Sequence, residues 1–161
     1  MRSVLIGIPV QEKIYSTKQA VLVYSLMRLL DLRDQGMSIH SYLVSDFSAA
    51  IAKELGLSEQ AVVDVATAAL LHDIGKIGLP DAILQQTGPL SPAEWSVIRQ
   101  HPEQGAAILE DTPALSHLAR AVRGHHERWD GSGYPNQIAG SAIPLDARII
   151  AVAESYHAMM G

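Results

Sequence analysis

The chain has 161 residues, 48% of them hydrophobic and 18% charged, which suits one domain with a buried core. It contains no cysteine, so disulfides and thiolate metal sites are excluded and a reducing, cytoplasmic location is expected. The formal net charge of −5 argues against long nucleic acid as a partner. The apolar run at residues 4–10 is interrupted by Pro9 and resembles neither a signal peptide nor a membrane span, so we expect no membrane association.

The first predicted helix covers residues 17–33. Few aromatic residues and many alanines, leucines and isoleucines favour an all-α fold, and the helix punctuation along the chain predicts about seven helices. The apolar face of this first helix is expected to contain Val21, Tyr24, Met27 and Leu30. We expect the helix to pack outside any functional site.

Histidines lie on the inward faces of the next two predicted helices. In the second helix, which Gly56 ends, His40 shares a face with four apolar residues. These are Val44, Phe47, Ile51 and Leu55. Ser58 is a candidate N-cap for the third helix, whose inward face continues to His72 and places the pair His72-Asp73 at the helix end. A ligand reaches chemistry at a helix end easily.

The second half of the chain places further histidines at helix boundaries. Ser91, Pro92 and Glu94 predict a helix start with a capping box, and Pro102 predicts a break or restart directly after His101. A later inward stripe contains Leu115, Leu118, Val122 and His126, and a turn-rich loop at residues 130–135 follows it. Pro144 is expected to open the last helix, in which Glu154 and His157 share a face.

Taken together, these inward histidines and carboxylates predict a metal centre. A single histidine on an apolar helix face is usually a hydrogen-bonded core residue. Here, however, two adjacent pairs (His72-Asp73 and His125-His126), two further histidines and a distal carboxylate share interior faces. Imidazole and carboxylate without thiolate suit divalent metals such as iron or manganese. His117 lacks such a context and is expected to be a surface or packing residue.

The ordered motifs resemble the HD-GYP family of metal-dependent cyclic di-GMP phosphodiesterases, from about Arg33 onward. The motifs are His40, His72-Asp73-Ile74-Gly75-Lys76, His101-Pro102, His125-His126-Glu127 and Gly133-Tyr134-Pro135. The resemblance implies an HD-domain helical bundle that holds two divalent metal ions, with Asp73 bridging them. It implies the metal ligands His40, His72, Asp73, His101, His125 and His126, and Glu154 stands where the family usually has an aspartate ligand.

Lys76 and the loop at residues 133–135 are the candidates for contact with substrate. Lys76 follows Asp73 by three residues, so a helical turn would bring its ammonium over the site to assist the leaving oxygen, although an ordinary surface lysine is the alternative. Gly133, Tyr134 and Pro135 either contact substrate or buttress the histidines. Arg128 and Arg148 are weaker candidates for phosphate binding, without a catalytic role.

Several positions depart from the family pattern. Glu154 is one methylene longer than aspartate, His157 stands where another aspartate is usual, and Gln137 replaces a glycine. Gly36 offers no carboxylate for a third metal, which favours two. The chain stops at Gly161, before an arginine-bearing segment that usually helps to hold the dinucleotide, so the domain is expected to be truncated.

The sequence therefore predicts an HD-GYP domain at residues 16–161, after a linker remnant at residues 1–15. The expected function is hydrolysis of cyclic di-GMP to linear pGpG and further to GMP, catalysed with Asp73 and Lys76. One alternative is a catalytically degenerate domain that senses cyclic di-GMP or docks a partner protein, and another is an HD hydrolase for a different nucleotide. Further expected partners are a signalling protein or a regulatory domain.

Overall fold

The computed structural model describes residues 17–33 and 36–160, and these residues form helices without any strand. The expected linker at residues 1–15 lies outside the described residues. The α-helices are α1 (Thr17–Arg33), α2 (Met37–Glu54), α3 (Glu59–Leu71), α4 (Asp81–Leu84), α5 (Pro92–Ile98), α6 (His101–Glu110), α7 (Ala119–Gly124) and α8 (Leu145–Met160). Because α4 is a single turn, the expected all-α bundle of about seven helices is confirmed within these ranges.

Local sequence signals set the helix boundaries. Ser58 caps α3 by accepting from the Ala61 N–H, and Ser91 and Glu94 form a reciprocal capping box at α5. Gly56 ends α2 in the left-handed conformation, with φ 72° and its N–H bonded to the Lys53 carbonyl. These boundaries agree with the sequence predictions.

The core forms where α2 packs along α3 and α8, and where α6 packs on α7 and on the 3₁₀ turn Ile74–Gly78. A break is present near Pro102 but lies earlier than predicted: α5 ends at Ile98 and α6 restarts at His101 rather than after it, with the proline in its first turn. α8 begins at Leu145, directly after Pro144, whose carbonyl accepts from the Arg148 N–H. This packing brings the ends of α3, α5 and α7 close to one another.

Two details of the predicted apolar faces are wrong. Val21 and Tyr24 are 60% and 53% exposed, and the buried face of α1 contains Val23 with Met27 and Leu30. Periodicity showed that α1 is amphipathic, but the exact face depends on where α2 and α3 lie. Leu55 is also exposed, because it is the C-cap where the chain turns away from α2.

Within the described residues, no helix is long and apolar enough to cross a membrane.

Candidate metal centre

The predicted ligand residues come together in one interior region between the helix ends. His40 comes from the first turn of α2, and His72 and His125 are the C-cap residues of α3 and α7. His101 is the first residue of α6 and Glu154 lies in α8. The imidazole rings are close to one another, with centroids 5.4 Å apart for His40 and His72 and 5.3 Å apart for His101 and His125.

Three of the buried histidines are oriented by helix-end carbonyls. Each ring donates its Nδ1–H to the carbonyl three residues earlier. The pairs are His72 with Ala69 at 2.6 Å, His101 with Ile98 at 2.7 Å, and His125 with Val122 at 2.6 Å. Carbonyls in the last turn of a helix have no intrahelical partner, so they are free to accept. A carbonyl oxygen cannot donate, so Nδ1 bears the proton and Nε2 keeps its lone pair for a metal.

The free Nε2 atoms and the Asp73 carboxylate face one another across short distances. His101 Nε2 is 3.3 Å from His125 Nε2 and 3.3 Å from Asp73 Oδ1. His72 Nε2 and Asp73 Oδ1 are both buried without a hydrogen-bond partner. Buried acceptors that face one another are costly unless a cation lies between them. A spacing of 3.3 Å also suits two nitrogens that are each about 2.1 Å from the same ion.

The donor atoms divide into groups of the size that holds one metal ion each. One group is His101, His125 and His126, and a second is His40, His72 and Asp73. A third, overlapping group joins His72 and His125 to Glu154. The two Asp73 oxygens face different groups, since Oδ2 is 3.4 Å from His72 Nε2 while Oδ1 faces His101. The donor set therefore fits two neighbouring cations.

Burial lowers the pKa of four of the imidazoles and so favours the neutral form, which is the form that binds metals. Desolvation lowers the pKa of His40 and of His101 to about 4 and that of His126 to about 3. Burial and the neighbouring His126 lower the pKa of His125 well below its usual value. Burial opposes ionisation of Asp73, but the surrounding histidines and Lys76 outweigh it and hold the pKa of this carboxyl well below its ordinary range. The site thus combines a charged carboxylate with four imidazoles that are neutral at neutral pH.

Lys76 contacts the site through Asp73. Its ammonium nitrogen lies 2.7 Å from Asp73 Oδ2, because the 3₁₀ turn after Asp73 brings the two side chains to the same side. The lysine side chain is partly exposed while Asp73 is buried. The ammonium therefore lies between the carboxylate and solvent, within reach of a ligand that enters the site.

His157 has a specific partner in the structure, unlike an incidental surface histidine. Its Nδ1 lies 3.0 Å from His40 Nδ1, so one of the two nitrogens donates to the other. His40 lies in the first turn of its helix and is not oriented by a helix-end carbonyl. Its Nδ1 pairs with His157 instead, and this contact orients the His40 ring as the carbonyls orient the rings of His72, His101 and His125. Glu154 lies one turn earlier, and its Oε2 is 3.9 Å from His126 Nδ1. Burial raises the pKa of Glu154.

The loop after the histidine pair packs directly against it. The Tyr134 ring stacks on His126, with centroids 4.8 Å apart and 30° between the planes, and the Tyr134 N–H donates to the His126 carbonyl. A Cβ at Gly133 would lie 2.6 Å from that carbonyl oxygen, so only glycine allows this approach. Gln137 adopts φ 56°, a conformation that favours the glycine it replaces. The loop therefore buttresses His126 while Tyr134 lies beside the metal centre.

Sequence reasoning missed two contributions to the site and its edge. The pairing of His157 with His40 joins α8 to α2, and no local signal reveals it. Arg99 lies over the Tyr134 ring at 5.5 Å, whereas the sequence drew attention to Arg128 and Arg148. Arg128 pairs with Asp130 at 3.8 Å and Arg148 lies over Trp129, so both already have partners. His117 is exposed beside Asp64, as expected for a surface residue.

Fold and site together define an all-α protein with a buried histidine–aspartate metal centre. The HD domain family model matches residues 24–161, so the chain belongs to the HD domain family. The expected relationship to the HD-GYP phosphodiesterases is confirmed by the relatives described next.

Two curated relatives and one solved structure illustrate this relationship. A cyclic di-GMP phosphodiesterase of Thermotoga maritima is 44% identical over 84% of this chain and 37% of its own length. The 3'3'-cGAMP-specific phosphodiesterase 2 of Vibrio cholerae is 36% identical over 86% of this chain and 27% of its own length. The chain thus spans about a third of these relatives. Bd1817, an HDG"Y"P protein from Bdellovibrio bacteriovorus, shares the fold with a TM-score of 0.67 at 23% identity, over 86% of this chain and 49% of its own.

Proposed function

We propose that this domain is a metal-dependent phosphodiesterase that hydrolyses cyclic di-GMP to linear pGpG and further to GMP. The observation that supports this most directly is a set of buried acceptor atoms that face one another: Asp73 Oδ1 and the Nε2 atoms of His72, His101 and His125. The curated relatives named as cyclic dinucleotide phosphodiesterases support the same class of substrate.

Two divalent ions are the proposed cofactors, with iron or manganese favoured by nitrogen and oxygen donors without thiolate. His101, His125 and His126 would hold one ion, while His40 and His72 would hold the other, with Asp73 between them. Glu154 is proposed as a further ligand from α8. When bound, such a pair supplies an activated water and neutralises the phosphate oxygens.

Lys76 is the proposed proton donor. In the reaction, water adds to phosphorus, the bond from phosphorus to the sugar oxygen breaks, and that oxygen needs a proton as it leaves. The Lys76 ammonium carries a proton at the edge of the site, and its contact with Asp73 at 2.7 Å fixes its direction. Gly133, Tyr134 and Pro135 are proposed to contact the dinucleotide beside His126.

A second candidate is a domain that binds cyclic di-GMP without cleaving it. Two features of α8 favour this candidate: Glu154 replaces the aspartate usual at its position, and His157, which replaces another aspartate, pairs with the proposed ligand His40. Hydrolysis of another nucleotide is the third possibility that a substrate panel would reveal.

Metal counting and a turnover assay on the same preparation test the proposal. We expect two ions per chain by inductively coupled plasma mass spectrometry and conversion of cyclic di-GMP to linear product. Stoichiometric binding of the dinucleotide without any linear product, at saturating manganese or iron, would reject the enzyme and favour the sensor.

We further propose that residues 16–161 act as the catalytic unit in the cytoplasm and that residues 1–15 are a linker. In the longer relatives this unit occupies about a third of the chain. A regulatory domain or a signalling protein would then control access to the site.

A further inference from the structure

Trp95 and Arg99 lie beside Tyr134 at the rim of the metal centre, and the proposed function gives these two side chains no role. Trp95 lies in α5 and Arg99 is the C-cap residue of that helix, one turn later. The Arg99 guanidinium is 6.0 Å from the centroid of the Trp95 ring and 5.5 Å from that of the Tyr134 ring. Tyr134 in turn stacks on His126. We call Trp95, Arg99 and Tyr134 the aromatic ledge.

The guanidinium of Arg99 contacts aromatic rings rather than a carboxylate. In the described part of the chain, five other arginines have a carboxylate partner: Arg28, Arg33, Arg120, Arg123 and Arg128. No such ion pair involves Arg99, and this residue is exposed. A guanidinium has five N–H donors, and its cation–π attraction to the two rings uses none of them as a hydrogen bond to a protein acceptor, so they remain available to a ligand.

The position of Arg99 indicates which part of a ligand it meets. One aromatic ring, that of Tyr134, lies between Arg99 and the ligand residue His126. A phosphodiester at the metal centre would therefore be too deep for Arg99, and the group that reaches the ledge is a nucleoside attached to that phosphate. Trp95 is 45% exposed and offers a flat apolar face beside the guanidinium, which suits a purine base.

The donor pattern of Arg99 favours one purine over the other. Guanine presents two acceptors, O6 and N7, along one edge, and a guanidinium donates to both at once. Adenine presents N7 beside an amino donor, so the second contact becomes a clash of two donors. We propose that Arg99, held between Trp95 and Tyr134, selects a guanine base beside the metal centre. This inference rests on the proposed function for the identity of the ligand as a cyclic dinucleotide.

The test compares Arg99→Met with the control Arg120→Met, which removes an exposed arginine whose nearest carboxylate is 4.0 Å away, at Asp146. For each full-length protein, kcat and KM are measured with cyclic di-GMP, cyclic di-AMP and bis(p-nitrophenyl) phosphate, which has no base. We expect Arg99→Met to lower kcat/KM for cyclic di-GMP about tenfold, mainly through KM. Its values for the other two substrates, and all values of Arg120→Met, should stay within about twofold of the unmutated chain.

Two outcomes would overturn the inference. An equal loss on cyclic di-GMP and cyclic di-AMP would assign Arg99 to a phosphate, and no loss on either would remove it from the binding site. If the unmutated chain hydrolyses none of the three substrates, the proposed function fails, and calorimetric Kd values then decide the inference separately. A tenfold weaker Kd of Arg99→Met for cyclic di-GMP alone would support base selection, and unchanged Kd values would refute it.

Discussion

Replacing Gly75 by alanine should displace ligands of the metal centre. Gly75 lies where the turn after Asp73 packs against the backbone at the start of α6. A Cβ at this position would lie 2.5 Å from the Gly105 nitrogen, and closer still to the His101 carbonyl oxygen. Van der Waals contact with carbon needs about 3.5 Å, so the two backbone segments must separate by roughly 1 Å. The nearest atoms belong to the backbone, so no side-chain rotation relieves the clash.

In the unmutated chain His101 Nε2 lies 3.3 Å from Asp73 Oδ1, and the separation of the two segments would move these atoms apart. Metal ligands must be held to within about 0.5 Å of their working geometry, so we expect Gly75→Ala to lose bound metal. Overpacking of this kind costs about 1–3 kcal/mol. For a domain of this size, that cost lowers Tm by roughly 2–12 °C.

The matched control is Gly88→Ala. Gly88 has open space where its Cβ would be, and its φ lies outside the left-handed region, so alanine should be neutral there. Thermal unfolding and metal counts are measured on both variants and on the unmutated chain. Gly75→Ala with an unchanged Tm and a full complement of metal would show that α6 does not press against this turn, and would refute the packing described for the site.

Three further substitutions probe single roles. Lys76→Met should lower kcat by about 10²–10⁴-fold with the metal count unchanged, because the proton donor is lost while every proposed metal ligand remains. Loss of metal would instead show that the Lys76 contact with Asp73 holds the site together. His157→Phe should weaken metal binding by about 10–100-fold in a chelator competition, because His40 loses its orienting partner. The control His117→Phe should have no effect. Equal metal retention in both variants would exclude this role for His157. Glu154→Asp should raise metal retention, measured after dialysis, and unchanged retention would mean that the longer side chain already reaches its metal.

The parts of the structure that local sequence determines were predictable. Ser91 with Glu94, the glycine at position 56 and the proline at position 102 act on their own helix ends, so each boundary followed from neighbouring residues. The meeting of the histidines was predictable for a different reason. Each one lies on an apolar helix face, and in a single small domain all such faces must be buried in the same core.

The remaining features depend on how the helices dock. Met27 and Leu30 of α1 are buried as predicted, but Val21 and Tyr24 are exposed, because several apolar residues surround the helix and only docking selects among them. The contact between His157 and His40 joins residues 117 positions apart. Arg99 over Tyr134 similarly joins a helix to a distant loop, so its role could not be read from either segment alone.

The placement of three histidines at helix ends explains how burial and metal binding are compatible. Deep burial of an imidazole removes both of its nitrogens from water, and each nitrogen then needs a partner. The last turn of a helix provides an unused carbonyl for Nδ1, which leaves Nε2 as the unsatisfied atom, and the lowered pKa of His101 shows that a proton is not its preferred partner. An ordinary core would not collect several such atoms around a buried carboxylate, because each adds to the cost of folding. The helix ends are therefore best understood as stabilising a site that a cation completes.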